Sequence, residues 1–198
     1  MQGLVGVGSK RLATPIVVLC WLVYLPMFSG RSGPGTERKR KDSFSRFGIA
    51  VQGTGVGAMW AWRRPLFSPL PGMILPLRIV APIVAVILAI GSVYFSWIAL
   101  KALGRQWSFV AGVMSGHRLI QEGPYSVVRH PLYVCFFGLT FSTGIVWSEP
   151  MGLLVSTILF WIGVWIRVRS EEKILRETFG AEFEEYAKRV PAFLPGLL

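Results

Sequence analysis

Apolar positions gather into five blocks, at residues 12–28, 47–62, 73–103, 132–147 and 151–168, with polar or proline-glycine stretches between them. Each approaches or exceeds the roughly 20 residues a helix needs to cross a bilayer, and the second is short and glycine-rich. Beyond Val168 the pattern changes. Residues 171–188 place Ile174, Leu175, Thr178-Phe179, Phe183, Tyr186 and Ala187 at helical spacing. That stripe predicts an amphipathic helix lying along the membrane surface or capping the cytoplasmic mouth. Gly180 is placed to bend or divide it, and Pro191 and Pro195 to end it. The expected fold is an all-α integral membrane protein with about five transmembrane helices plus a C-terminal amphipathic cytoplasmic helix.

Composition agrees: 53% of the 198 residues are hydrophobic and the mean hydropathy is +0.53, too apolar for a soluble domain of this length. The net charge of +11 is scattered between the blocks, so no basic module is available for nucleic acid, which is excluded as a partner in favour of membrane lipids. The stretch 31–46 is a basic loop, with Arg31, Arg38, Lys39, Arg40, Lys41 and Arg46 against Glu37 and Asp42. Placing it in the cytoplasm puts 16 Lys and Arg on that side and 5 on the other, as the positive-inside bias requires. Lys10 and Arg11 before the first block imitate a signal peptide, but no A-x-A-like site follows and the block is near spanning length, so it is read as an uncleaved span. Cys20 and Cys135 lie inside apolar blocks and are read as small buried residues. Only Ser148, Glu149 and Pro150 join the last two blocks, which predicts a tight antiparallel hairpin. Its two ends then bring residues 123–133 next to the segment starting at Arg167.

Four sets of residues invite a chemical reading. Gly53-Thr54-Gly55-Val56-Gly57 superficially matches a nucleotide-binding loop, but no ribose-binding acid follows at the expected distance; small residues at 53 and 57 fit close helix packing better. His117 and His130 are the only histidines and have no ligand-like spacing to acids or thiols, so no metal is expected. The third is Gly123-Pro-Tyr-Ser-Val-Val-Arg-His-Pro-Leu-Tyr133, where Arg129 and His130 precede Pro131 at the entrance to a membrane helix. Proline suits a first helical turn, whose free N–H groups favour an anion such as a carboxylate. A snorkelling arginine and a capping imidazole would use the same residues. Arg167 and Glu171, one turn apart, share a face, either as a surface ion pair or as an acid and a base turned towards His130.

Together these segments resemble the isoprenylcysteine carboxyl methyltransferase family of integral membrane enzymes, from about residue 103 to 195. The matching parts are L-G-R-Q-W-S at 103–108, H-R-L-I at 117–120, the 123–133 hinge, E-E-K-I-L at 171–175 and F-G-A-E-F-E-E-Y-A-K-R-V-P at 179–191. The resemblance implies S-adenosylmethionine as cofactor. It places that cofactor against His117, Arg118, Leu119 and Ile120, against Tyr125, against Arg129, His130, Pro131, Leu132 and Tyr133, and against Glu171 and Glu172. It associates Arg167 with the methyl acceptor, so that Arg167 and Glu171 are the residues expected to position the reactants. Val110 stands where eukaryotic members often have a polar residue, seven positions before His117.

The implied reaction carries a methyl group to a membrane-embedded, lipid-like acceptor, a prenylcysteine-type carboxylate that becomes a methyl ester, on the cytoplasmic side. A carboxylate needs no strong general base, and neither a Ser-His-Asp nor a paired-carboxylate constellation stands in the chain. The alternatives are a phospholipid-amine or small-thiol methyltransferase with the same cofactor site, and a sterol-reductase-like NADPH enzyme sharing R-H-P-x-Y. Against the last, Val134, Cys135, Phe136 and Phe137 are apolar where polar residues usually follow. The organisation expected is 1–102, membrane helices with the basic loop 31–46, and 103–198, a cofactor-binding half.

Overall fold

The computed structural model describes residues 2–29, 44–65, 74–104 and 118–193. Of the expected basic loop 31–46, residues 31–43 lie outside the described residues, as do Arg105 to Ser108, Val110, His117 and Pro195, whereas residues 44–46 are helical and not loop. Within them the chain is helical: α1 Gln2–Tyr24, continued by a 3-10 turn Leu25–Phe28; α2 Phe44–Ala61; α3 Leu75–Leu103; α4 Pro131–Trp147; α5 Pro150–Phe179; and α6 Ala181–Arg189. A second 3-10 turn, Gly123–Ser126, precedes α4. The sole extended pairing among the described residues is the isolated antiparallel bridge between Arg63 and Ser148.

Helices α3 and α5 are long and apolar enough to cross a membrane; the apolar segments of α1 and α4 are shorter. Their outward faces are apolar, with Ile83, Ile87, Ile90 and Tyr94 exposed on α3 and Leu154, Ile158, Ile162 and Trp165 exposed on α5. Water would penalise such faces and hydrocarbon would not. The inward faces form two packed groups. Ala13, Val17, Cys20 and Tyr24 of α1 meet Ala85 and Ala89 of α3 and Leu139 and Val146 of α4. Phe160, Val164 and Val168 of α5 meet Tyr133, Phe136 and Phe137 of α4 and Phe193.

The most extensive helix pairing is α2 against α5. Ser45, Gly48, Gln52, Gly55 and Met59 are the buried positions of α2, alternating steps of three and four residues, the seam of a left-handed crossing. Missing side chains let the backbones close up: a Cβ on Gly48 would lie 2.8 Å from the Gly163 carbonyl, and one on Gly55 3.0 Å from the Ser156 carbonyl. Gly53 and Gly57, the positions expected to pack, point outwards with nothing within 4 Å. The small residues do serve helix packing, one register away from the expected pair, because the heptad seam passes through 48 and 55.

Helix boundaries follow the apolar blocks with three departures, one being α2, which opens at Phe44 inside the expected loop 31–46. Helix α1 starts ten residues before Leu12, and α5 does not stop at Val168. No breaker stands between Val168 and Phe179, so the first half of the expected amphipathic helix is a continuation of the last span. At a rise of about 1.5 Å per residue α5 is roughly 45 Å long, so its last ten or so residues, from Arg169, project beyond an apolar core of about 30 Å. Gly180, with φ +51° and ψ −121°, makes the actual break, in a conformation that costs any residue with a Cβ. The remainder, α6, buries Phe183 and Tyr186 against Leu119, Leu175 and Phe179, so protein covers its apolar side.

At the end of the bundle that carries Ser148 and Glu149, the α2 exit is stapled to the α4–α5 turn. Arg64 N–H donates to the Trp147 carbonyl at 2.7 Å, its Nε to the Ser148 carbonyl at 2.7 Å, and Glu149 N–H to the Trp62 carbonyl at 2.7 Å. With α2 and α5 antiparallel, the opposite end gathers the α4 N-terminus, residues 167–172 and α6.

Candidate active site

Pro131 opens α4 at its first turn, which holds His130 just outside the helix with its backbone N–H turned away from the helix axis. That N–H donates to the Ala192 carbonyl at 3.1 Å, and the N–H of Arg129 donates to the Pro191 carbonyl at 2.9 Å. The chain after α6 therefore runs beside the hinge as a backbone clasp. Proline 191 reads in the sequence only as a helix terminator; its carbonyl has a structural task because proline still accepts.

The side chains behind the clasp form a dense ionic cluster. Arg129 donates from Nε to Glu172 Oε1 at 3.0 Å and approaches the same oxygen with Nη2 at 2.9 Å. Its Nη1 donates to the carbonyls of Ala187 at 2.9 Å and Val190 at 2.5 Å, the unpaired C-terminal carbonyls of α6. Arg129 is thus an internal tie between hinge, α5 and α6, not a side chain snorkelling to headgroups. Glu172 also meets His130 Nε2 at 3.2 Å and Arg176 Nη2 at 3.1 Å. Burial by itself would raise the Glu172 carboxyl pKa, but the hydrogen bond and charge of His130 and the charge of Arg129 outweigh it and hold the group down at about 2.

A second cluster lies towards the apolar layer. The Tyr133 hydroxyl donates to Glu171 Oε1, and Glu171 Oε2 lies 3.6 Å from His130 Nδ1. Arg167 Nη2 stands 3.8 Å from Glu171, while its guanidinium lies over the Tyr133 ring at 5.0 Å from the centroid. Its Nη1 donates to Gln52 Oε1 at 3.2 Å. The Arg167–Glu171 pair is consequently no solvated surface bridge, since the two side chains are 13% and 23% exposed and share a network with α2 and α4. His130 sits between the two clusters, its ring 5.9 Å from that of Tyr133 on one side and from that of Phe193 on the other.

Helix α6 holds the preceding turn in place. The Tyr186 hydroxyl donates to the Tyr125 carbonyl at 2.6 Å, and its burial, opposed by the charge of Arg129 and aided by that of Glu172, pushes its pKa up to about 12 so that it stays a donor. Gln121 bonds Glu182 and Arg189, and Leu119 packs into the α6 core, which brings the 118–121 segment over the same end of the bundle. Of the residues singled out in the sequence, Tyr125, Arg129, His130, Pro131, Tyr133, Arg167, Glu171 and Glu172 converge here; Leu119 and Ile120 are half-buried beside them, Arg118 is exposed, and His117 is outside the described residues. Gln52 and the 191–193 segment were not legible. A lone amide inside an apolar block is itself a signal for the first; nothing local announces the second.

Residues 84–177 match the model of the isoprenylcysteine carboxyl methyltransferase (ICMT) family. The protein-S-isoprenylcysteine O-methyltransferase of Saccharomyces cerevisiae is 34% identical over 104 residues, 52% of this chain and 44% of the relative. That of Schizosaccharomyces pombe is 39% identical over 83 residues, 40% of this chain and 34% of the relative. A cobalt-zinc-cadmium resistance protein of Cupriavidus metallidurans is 34% identical over 102 residues, 50% of this chain and 46% of the relative. The chain spans about half the length of the curated relatives it matches.

Proposed function

Given that the segment bearing the clustered side chains resembles the isoprenylcysteine carboxyl methyltransferase family, we propose that the chain transfers a methyl group from S-adenosylmethionine to a lipophilic carboxylate of the prenylcysteine type. The observation that carries this reading is the meeting of Arg129, His130 and Tyr133 with Arg167, Glu171 and Glu172 at one end of a helix bundle whose outer faces suit lipid. The proposed organisation is five spans, α1 to α5, with α6 as a cytoplasmic cap. Supporting it are the positive-inside count and the antiparallel packing of α2 on α5. All the clustered residues except Gln52 come from the 103–198 half, which is the proposed cofactor-binding unit.

The residues fit the donor chemically. Glu171 keeps partial exposure beside Tyr133 and His130, an acceptor-rich corner suited to hydroxyl and ammonium groups. In this proposal the donor is held by residues 117–120, Tyr125, the 130–133 turn and Glu171. Arg129 and Glu172 satisfy each other and act as the rigid frame that fixes His130. When bound, S-adenosylmethionine supplies an electrophilic methyl on a sulfonium.

Arg167 anchors the acceptor carboxylate, and the Tyr133 ring beneath it fixes the guanidinium plane. With Glu171, His130 and Tyr133 holding the donor and Arg167 the carboxylate, the donor would supply its methyl group to a carboxylate oxygen and keep the carbon–sulfur electron pair, so that cation and anion would give two neutral products. Charge would decrease along this path, and the packing of Phe193, Trp161 and Phe137 beside His130 and Tyr133 would keep away the water that stabilises charged reactants. Alignment, not proton transfer, then supplies most of the rate.

Calorimetry of S-adenosylmethionine against purified protein in detergent, with His130→Ala and Glu171→Gln alongside, tests the donor half of the reading. Labelled methyl transfer to a prenylcysteine, a phospholipid amine and a small thiol tests the acceptor half. Wild-type protein that binds NADPH but no S-adenosylmethionine would sink the proposal.

A further inference from the structure

We propose that Gln52 of α2, outside the family-matched segment, is an acceptor-binding residue that grips the substrate carboxylate together with Arg167. The inference rests on the methyltransferase reading above and adds a second carboxylate donor to it.

Gln52 is 3% exposed, and its amide nitrogen has no hydrogen-bond partner among the described residues. Its oxygen is already assigned, because the guanidinium of Arg167 can only donate and stands 3.2 Å from Oε1. The two N–H bonds of Nε2 are therefore left facing inwards beside a cation. A buried donor without an acceptor is costly and rare in native proteins, and one beside Arg167 is tuned for an anion. A carboxylate offers two oxygens, enough to take one bond from the guanidinium and one from the amide. An amine or thiol acceptor would leave at least one of those donors empty.

Packing fixes this position. A Cβ on Gly163 would lie 2.5 Å from Gln52 Cγ and 2.9 Å from its backbone N, and one on Gly48 would lie 2.5 Å from Arg167 Cγ. The two glycines press α2 and α5 together within a turn of Gln52 and Arg167, so the amide is placed by helix backbones. This also gives the N-terminal half a share in the site: α5 brings the charge and α2 brings the donor that selects what the charge holds.

The test uses the full chain in detergent, an N-acetyl-S-prenylcysteine as acceptor and the matching carboxamide as a competing ligand. Gln52→Glu keeps the oxygen that Arg167 needs and replaces the free amide with negative charge. It should raise the acceptor KM about tenfold or more, leave S-adenosylmethionine and carboxamide affinities within about twofold of wild type, and keep the melting temperature. Gln52→Met, which removes donor and acceptor alike, should also raise the acceptor KM. An unchanged acceptor KM in Gln52→Glu, or equal losses for acid and amide, overturns the proposal, as does loss of binding that tracks a fall in melting temperature. If the wild type itself transfers no methyl group to the prenylcysteine, the underlying functional reading fails; if it does and Gln52→Glu matches it, only the role of Gln52 fails.

Discussion

Alanine at Gly163 tests the α2–α5 crossing most directly. Its methyl carbon would lie 2.5 Å from Gln52 Cγ, 2.7 Å from the Gly48 carbonyl oxygen and 2.9 Å from Gln52 N. The first contact can be relieved by rotating a side chain, but the other two involve backbone. Since ordinary contact begins at 3.4 Å and the carbonyl stands at 2.7 Å, α2 must retreat by roughly 0.7 Å at this level. Overpacking of this kind costs about 1–3 kcal/mol. The same retreat would stretch the 3.2 Å Arg167–Gln52 hydrogen bond past its useful range. Cys20 and Cys135 are free and buried, so a thiol-reactive fluorophore reports unfolding in detergent during a temperature ramp. Gly163→Ala should melt several degrees below wild type. Gly53→Ala and Gly57→Ala, with nothing within 4 Å, should match it or gain up to about 1 kcal/mol from better helix propensity. A Gly163→Ala protein as stable as wild type, or a Gly53→Ala protein as damaged, would refute the close-crossing argument.

Three further outcomes follow from the site. Glu172→Gln leaves Arg129 buried without its counter-charge, and a loss of about 3–5 kcal/mol is expected in the same melting assay. Because the Glu172 pKa is depressed from 4.5 to about 2 in the folded protein, its contribution is fully present above pH 4.5 and disappears as pH falls towards 2. That contribution is on the order of 3 kcal/mol, and acid titration of wild type against Glu172→Gln should show the two curves converging in that window. Tyr133→Phe deletes the hydroxyl donated to Glu171; calorimetry should show S-adenosylmethionine binding weakened about tenfold, with melting changed by no more than about 1 kcal/mol. Gly180→Ala must adopt φ +51° and ψ −121° between α5 and α6, and a melting loss of about 1–3 kcal/mol measures that strain.

Helix positions were legible because blocks of apolar residues bounded by proline and glycine leave little freedom in a bilayer. Pro131, Pro150 and Gly180 all mark actual helix ends. The approach of the hinge to Arg167 and Glu171 was legible too, since a three-residue connection allows little else. What escaped was set by packing rather than by pattern. Whether Gly53 and Gly57 or Gly48 and Gly55 face α5 depends on a rotation of about 100° per residue, which a helix apolar on all sides does not declare. Continuation of α5 past Val168 escaped because the change from apolar to charged residues marks the edge of the membrane and not of the helix. The 191–193 clasp escaped because backbone pairing carries no side-chain signature.

That clasp bears on the order in which the site can assemble. Arg129 and Val190 are 61 residues apart in sequence, and closing so long a flexible loop is entropically expensive. Once α4 and α5 have folded back on each other, the two ends already lie at the same face and the closing step covers a short distance. The site should therefore be among the last parts of the protein to form and, by the same reasoning, among the first to open. In hydrogen exchange, the amides of Arg129 and His130 should lose protection while those in the middle of α4 and α5 remain protected. Loss of the proposed methyl transfer on heating would then precede loss of helix, as a local opening of the clasp instead of collapse of the bundle.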